Sequence, residues 1–386
     1  MALPDCLVIG GGVIGCLCGY ELARGGARVA VVERGDLGQE ASWAGAGILS
    51  PMFPWRYPDC LSALVNRSLA RYATLIPELL ALGTVDPEHR RCGLLIPQLA
   101  AEQEGDLTEP LAWSARWGWR CDHLDEQVAR AVEPALGTTC TGAIWWPEVG
   151  QIRNPRLAAA ARQGCAALGV TLLDHREVTG FRRSGRRITA ATTVAGELAA
   201  GHFVLAAGAW SQTVAAALGL TLEVVPVKGQ ILLLRAPPGT VQRIVKHASA
   251  YVVPRADGRI LVGATLERMG FDKSPTLWAM RSLANGAVRL LPALDCAEVE
   301  RQWAGLRPGT PDGLPFLGPA PGITNLTLAT GHYRNGIVLA AATAEVVAAR
   351  VAGGTPPVDL TPFAVGRPMA AAHPLGLPAP AVGGRR

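Results

Sequence analysis

No CxxC pair occurs among the nine cysteines of this 386-residue chain, and their number is odd. Both facts argue against a disulfide framework and against a thiolate metal site. The seven histidines are scattered, so no metal-ligand cluster is visible and no metal is expected. No apolar run is long enough to cross a bilayer, and no stable membrane insertion is expected. The N-terminal apolar stretch lacks the basic flank of a signal peptide, since Asp5 is the charge that precedes it. Cationic runs are missing too. The net charge of +5 is spread out, with no basic run longer than a pair, so no nucleic-acid footprint is present. Charged residues make up 17% and apolar ones 49%, the balance of a folded globular chain. A reduced, cytoplasmic protein fits these absences.

What is present is concentrated near the start. Cys6-Leu7-Val8-Ile9 is apolar throughout and reads as a short parallel strand buried on both faces. The glycines Gly10, Gly12 and Gly15 follow in the spacing GxGxxG, and a helix runs on to Arg24 before Gly25-Gly26 ends it. Gly10 permits a tight turn, Gly12 lets a pyrophosphate approach the backbone, and Gly15 lets helix and strand pack closely. The helix N-terminus offers free N–H groups and a positive dipole end to phosphates. A second apolar strand from Arg28 to Val32 leads to Glu33, about where a ribose-binding carboxylate belongs. The pattern predicts a bound dinucleotide.

At this length two domains are expected. Small residues from Ala41 through Ser42, Ala46, Gly47 and Ile48 suggest backbone lying close to a ligand. A helix is predicted from Leu61 to about Leu82, kinked or broken at Pro77. Residues 90–147 show no clear periodicity and read as part of a cap domain. Pro155 to Leu168 forms a helix, Val170 to Leu173 a strand, and Glu177–Arg182 with Arg187–Val194 a hairpin. His202 to Trp210 is a buried strand that ends in a turn of small residues, Ala207 and Gly208 among them. Val224–Arg235, Tyr251–Pro254 and Arg259–Ala264 alternate and predict an antiparallel sheet. Leu326 to Ala329 forms a strand, then Gly331 to Gly336 a glycine-bounded turn, then Ile337 to Val351 a helix. This is a second anion-site geometry.

The fingerprint with Glu33, the segments Ala206–Ser211, Pro226–Gln230, Tyr251–Arg255 and Trp303–Gly313, and the turn Gly331–Ile337 together resemble the D-amino-acid-oxidase family of FAD enzymes. The resemblance runs to about Phe363, and within the family it is greatest to the glycine oxidases of thiazole (thiamine) biosynthesis. It implies an α/β (α+β) fold: a Rossmann-like FAD-binding domain with a parallel sheet, plus a substrate domain built on an antiparallel β-sheet. The FAD-binding domain would comprise 1–88, 148–222 and 304–365, and the substrate domain 89–147 and 223–303. The tail 366–386, rich in Pro, Gly and Ala, is expected to be disordered.

By the same resemblance, noncovalent FAD would lie against Gly10, Gly12, Val13, Ile14, Gly15, Glu33, Arg34, Ala41, Ser42, Ala46, Gly47 and Ile48. Val178 would meet the adenine through its backbone, with Ala207 and Gly208 nearby. His332, Tyr333, Arg334, Asn335, Gly336, Ile337 and Val338 would face the flavin. No cysteine lies beside that turn to link it covalently. The catalytic and substrate-binding set would be Arg307, Tyr251 and Arg334. Taken alone, Arg307 reads as a surface ion-pair partner and Tyr251 as an ordinary strand aromatic; it is the motif around each that assigns it. A guanidinium suits a carboxylate because it forms two parallel hydrogen bonds and stays charged.

The implied reaction is FAD-dependent oxidative deamination of glycine and other small amines such as sarcosine and D-alanine, with O2 reduced to H2O2 and dehydroglycine supplied for thiazole formation. Alternatives are an N-methyl amino-acid oxidase, a quinone-linked D-amino-acid dehydrogenase, and a non-catalytic flavin-binding subunit. The resemblance also implies a homo-oligomer, a tetramer in this family. One departure is Leu266, where those glycine oxidases carry a methionine near the pocket.

Overall fold

Cys6–Ile9 sits inside a six-stranded sheet because it is apolar on both faces. The computed structural model describes residues 3–100, 108–248 and 250–368. The sheet runs Phe316–Pro319, Leu326–Thr330, His202–Leu205, Cys6–Ile9, Val29–Val32, Thr171–Leu173. Neighbours are parallel except for Phe316–Pro319, which lies antiparallel on Leu326–Thr330. Cys6 and Val8 pack into a core with Leu17, Tyr20 and Leu339, contributed by helices Val13–Arg24 and Gly336–Val351. Helices Asp59–Ala81 and Asn154–Ala167 complete that layer. Leu7 and Ile9 point the other way, onto Phe203, Leu205 and Ile188. Ile188 belongs to a three-stranded antiparallel sheet, Val178–Ser184, Arg187–Thr193 and Gly196–Ala199, that covers this face.

The second sheet has eight strands, ordered Glu298–Gly309, Val225–Arg235, Arg259–Gly263, Ala250–Pro254, Ile244–His247, Leu94–Leu99, Cys140–Trp146, Asp122–Asp125. It is antiparallel except where Ile244–His247 runs parallel to Leu94–Leu99. Alternation sorts its faces. Leu232, Val252, Ile260 and Val262 pack under helix Leu277–Leu290. Ile231, Tyr251, Val253 and Leu261 point to the opposite face, toward Ala46, Met52 and Trp55.

Three expectations change. The stretch 90–147, featureless as a pattern, contributes three of these strands, and its outward residues hide the period. The helix Asp59–Ala81 runs unbroken through Pro77. Only one donor is lost there, near the helix end, where buried Leu75, Ile76 and Leu79 anchor both sides of it. The tail is not free from residue 366. Arg367 is buried, its Nε donating to Asp312 Oδ2 at 2.7 Å and its Nη2 to Oδ1 at 2.9 Å. It also donates to the carbonyls of Leu314 and Pro315. Composition could not show that a single guanidinium had a buried partner 55 residues back. The rest of the expected tail, 369–386, lies outside the described residues.

Removing one partner of a buried ion pair strands the other without water. Arg367→Ala should therefore lower stability by about 3 kcal/mol, read by urea or thermal unfolding. A chain ending at residue 368 should melt like the full-length protein. A wild-type melt for Arg367→Ala would show that the pair is solvated.

Candidate active site

One elongated cavity runs from the carboxyl edge of the six-stranded sheet to the inner face of the eight-stranded one. The carboxyl edge is where open α/β sheets hold ligands. Gly10 turns there with φ +108°, and a Cβ on it would overlap the carbonyl of Ala206. A Cβ on Gly15 would overlap the Gly10 carbonyl oxygen, so Gly15 serves the packing of the helix on the turn. Gly12 differs: its nearest neighbour would be the Ser42 hydroxyl, at 3.1 Å, and it opens on the cavity. Ser42 Oγ accepts from the Val13 N–H at 2.8 Å. Glu33 accepts from the Gly11 N–H at 2.7 Å and from the Gly35 N–H at 3.1 Å. That fixes both carboxylate oxygens and leaves each a lone pair for a hydroxyl. Arg34 lies over the Trp210 ring at 3.6 Å and pairs with Glu40 at 2.9 Å. A bare Gly12, an oriented acid and a helix N-terminus together fit the diphosphate and ribose of an FAD.

The far turn supplies a second helix N-terminus. Tyr333 has φ +45°, and its N–H donates to the Pro308 carbonyl at 3.0 Å, which ties the turn to the eight-stranded sheet. The N–H groups of Gly336, Ile337 and Val338 begin helix Gly336–Val351 and line the cavity. They have no carbonyl one turn behind them to accept their bonds. His332 contributes no imidazole to the site. Its Nε2 lies 3.0 Å from the Thr343 hydroxyl, and burial pushes the ring's pKa down to about 3.

Strand register builds the rest. Ile231 stands opposite Gly263 and Trp303, Gly263 opposite Tyr251, and Val227 opposite Arg307. Alternation therefore puts Gly229, Tyr251, Gly263 and Arg307 on one face. The Arg307 guanidinium lies where a Cβ on Gly229 would be, and the Tyr251 phenol likewise covers Gly263. Arg307 Nη1 donates to the Thr265 carbonyl at 3.1 Å. Burial and the Arg334 guanidinium lower the Arg307 pKa, while Tyr251 and Tyr333 oppose them. Burial also raises the Tyr251 pKa against the pull of Arg307 and Arg334.

Of the residues named from sequence, Gly15 and Asn335 stand behind the cavity wall and the others line it. Asn335 is buried, its carbonyl accepting from the Leu339 N–H as part of the helix start. Leu266 is not among the lining residues; Ala264 is. Sequence reasoning missed Gly229, whose signal was a glycine inside a strand, a mark of close approach. It gave no role to Lys246, a charged residue within an apolar strand, nor to Arg255, although Arg255 closes one of the motif segments.

Comparison with known proteins bears on the family and the fold. A family model described as FAD dependent oxidoreductase matches residues 5–350. The glycine oxidase of Pseudomonas putida strain KT2440 is 43% identical over 93% of this chain and 97% of its own length. The bifunctional protein ThiO/ThiG of Synechocystis sp. PCC 6803 is 38% identical over 89% of this chain, which spans about half of that longer protein. The crystal structure of glycine oxidase from Geobacillus kaustophilus superposes with a TM-score of 0.90 at 34% identity, covering 96% of this chain and all of that one.

Lys246 stands opposite Tyr251 in the sheet, 2% exposed, with its Nζ 3.0 Å from the centre of the Phe53 ring. Nζ donates to the Ala248 carbonyl at 3.2 Å. Burial, with repulsion from Arg334 and Arg56, pushes its pKa down to about 6. Between that value and the ordinary lysine value, near 10.4, the unfolded chain holds a proton that the folded one does not. Stability should therefore climb with pH across this window. Lys246→Met should melt above wild type at pH 7, with the gap closing by pH 10. Parallel pH profiles for the two proteins would mean that Lys246 stays protonated when buried.

Proposed function

The chain belongs to the family of FAD-dependent oxidoreductases, and on that premise we propose that it catalyses oxidative deamination of glycine and other small amines, sarcosine and D-alanine among them. The relatives named glycine oxidase support the substrate class. Those named ThiO/ThiG support a supply of dehydroglycine for thiazole formation. The observation that carries the reading is the Arg307 guanidinium, which faces the cavity with no carboxylate paired to it among the described residues. Such a group binds the carboxylate of an amino acid through two parallel hydrogen bonds. Two sheets suggest a division of labour, with cofactor on the six-stranded one and substrate on the eight-stranded one.

FAD, when bound, supplies the two-electron acceptor. This chain's residues do the positioning. Gly12, Ser42 and Glu33 hold the diphosphate and ribose end. Arg307 grips the substrate carboxylate, and Tyr251 and Arg334 flank it at the same end of the cavity. These bulky neighbours leave room for a small α-substituent only. The substrate amine must be neutral before its C–H can leave as hydride, so kcat/KM rises with pH. The N–H groups at Gly336 to Val338 turn a positive helix end toward charge developing in the cavity. The imine product leaves as such, as dehydroglycine when glycine is the substrate, or hydrolyses to a 2-oxo acid and ammonia, and O2 takes the electrons as H2O2. No cysteine stands in the turn Gly331–Gly336, which supports noncovalent FAD. All nine cysteines are free thiols, which supports a reducing compartment such as the cytoplasm.

Arg307→Ala should lower kcat/KM for glycine by about 100-fold or more while FAD content stays normal, and Arg307→Lys should recover part of the loss. Gly229→Ala should cost at least about tenfold in kcat/KM, because its methyl displaces the guanidinium that lies there. Wild-type kinetics for Arg307→Ala would remove it from the site. In an oxygen electrode, glycine and sarcosine should turn over similarly, D-alanine less well, D-phenylalanine hardly at all, and L-amino acids not at all. Electron transfer to an added acceptor but not to O2 would make the protein a dehydrogenase, and a flavin that no amine bleaches anaerobically would make it non-catalytic.

A further inference from the structure

We propose that Arg255 is a positioning residue for the cofactor wall: reaching across from the substrate sheet, it pins the segment Ala46–Ile48 in the shape that meets the bound FAD. The inference rests on the FAD-binding reading of the cavity. Arg255 follows the strand Ala250–Pro254 that carries Tyr251, and it is 7% exposed. Its Nη2 donates to the Ala46 carbonyl at 2.8 Å and its Nη1 to the Ile152 carbonyl at 3.2 Å. Nη1 also donates to Gln151 Oε1. Gln151 in turn donates to the Pro254 carbonyl at 2.7 Å, closing a ring of bonds between the end of the eight-stranded sheet's strand Ala250–Pro254 and the segment 151–152.

The wall it holds needs holding. Gly47 has φ +77°, and a Cβ on it would overlap the Ile152 carbonyl oxygen. The Ile152 N–H donates to the Gly47 carbonyl at 2.8 Å, and Asn154 Nδ2 donates to the Ser42 carbonyl at 3.0 Å. The loop thus lies flat on segment 151–154 with Ala46, Gly47 and Ile48 facing the cavity. Arg255 crosses this seam with no carboxylate directly bonded to it, and its Nε has no partner among the described residues. The nearest acids, Glu88 and Asp257, are bonded instead to Arg153, at 3.2 Å and 3.0 Å. Burial lowers the Arg255 pKa to about 10, so it stays charged at working pH. A buried cation held only by neutral oxygens is a costly way to close a seam that a glutamine or a water could close. What it adds is a fixed fork that orients the Ala46 and Ile152 carbonyls from one point, and a positive charge behind the cavity wall.

The test begins by showing that wild-type apoprotein binds FAD; failure there would refute the cofactor reading itself and not the role of Arg255. FAD is then titrated into Arg255→Met and Arg255→Lys apoproteins, following flavin fluorescence and the visible absorption band. Arg255→Met should bind FAD about 100-fold more weakly, with a shifted band. Arg255→Lys should lose about tenfold, because an ammonium keeps the charge but not the fork. Arg259→Met, on the same hairpin but in exposed ion pairs, should bind as wild type does. Should Arg255→Met fail to fold, Arg255→Lys carries the test alone. Unchanged affinity and an unshifted band in whichever of the two folds would overturn the proposal.

Discussion

At two places in this protein a backbone stripped of side chain lets a functional group come closer than any Cβ would allow. At the carboxyl edge of the parallel sheet, Gly10 lies against Ala206, and Gly15 lies against Gly10 itself. Helix Val13–Arg24 can then start within reach of whatever occupies the cavity. On the other sheet the Arg307 guanidinium rests on Gly229 and the Tyr251 ring on Gly263. Close packing leaves no slack to absorb an added methyl at either place. The cavity's width, the direction of the helix N-terminus and the height of the guanidinium all follow from these approaches.

Glu33, Glu40 and Glu177 line the cavity beside the six-stranded sheet, but at the end between the eight-stranded sheet and the far turn the charges share one sign. Arg307, Arg334 and the start of helix Gly336–Val351 face the cavity, while Lys246 and Arg255 stand just behind its walls. Arg307, Lys246 and Arg255 each cost desolvation, and each is held by carbonyls or rings more than by carboxylates. For Lys246 that cost, with repulsion from Arg334 and Arg56, pushes the pKa down to about 6. The guanidinium is the side chain that keeps its charge when buried, so this end of the cavity keeps a positive field suited to a substrate carboxylate and the negative charge gained on two-electron reduction. The net charge of +5 says nothing of this, because the effect lies in where a few cations are buried.

The strand, glycine turn, helix and second strand were readable from residues 6–33 alone. Each depends on neighbours a few positions away: apolar residues on both faces, glycines spaced for one turn of helix, an acid one strand later. The strand-turn-helix at 326–351 was readable for the same reason, as was the alternation that marks the second sheet. What could not be read was anything that depends on register between distant strands. Gly229 and Arg307 are 78 residues apart and meet only because Val227 pairs with Arg307 across an edge of the sheet. The seam between Arg255, Gln151 and Ala46 joins three segments more than a hundred residues apart. Arg367 was assigned to a free tail because its partner, Asp312, lies in another element. The sequence by itself determined a dinucleotide cradle, since cradle chemistry is local. Only the tertiary structure decided which cations face the cavity, because burial and strand register are properties of the assembled chain.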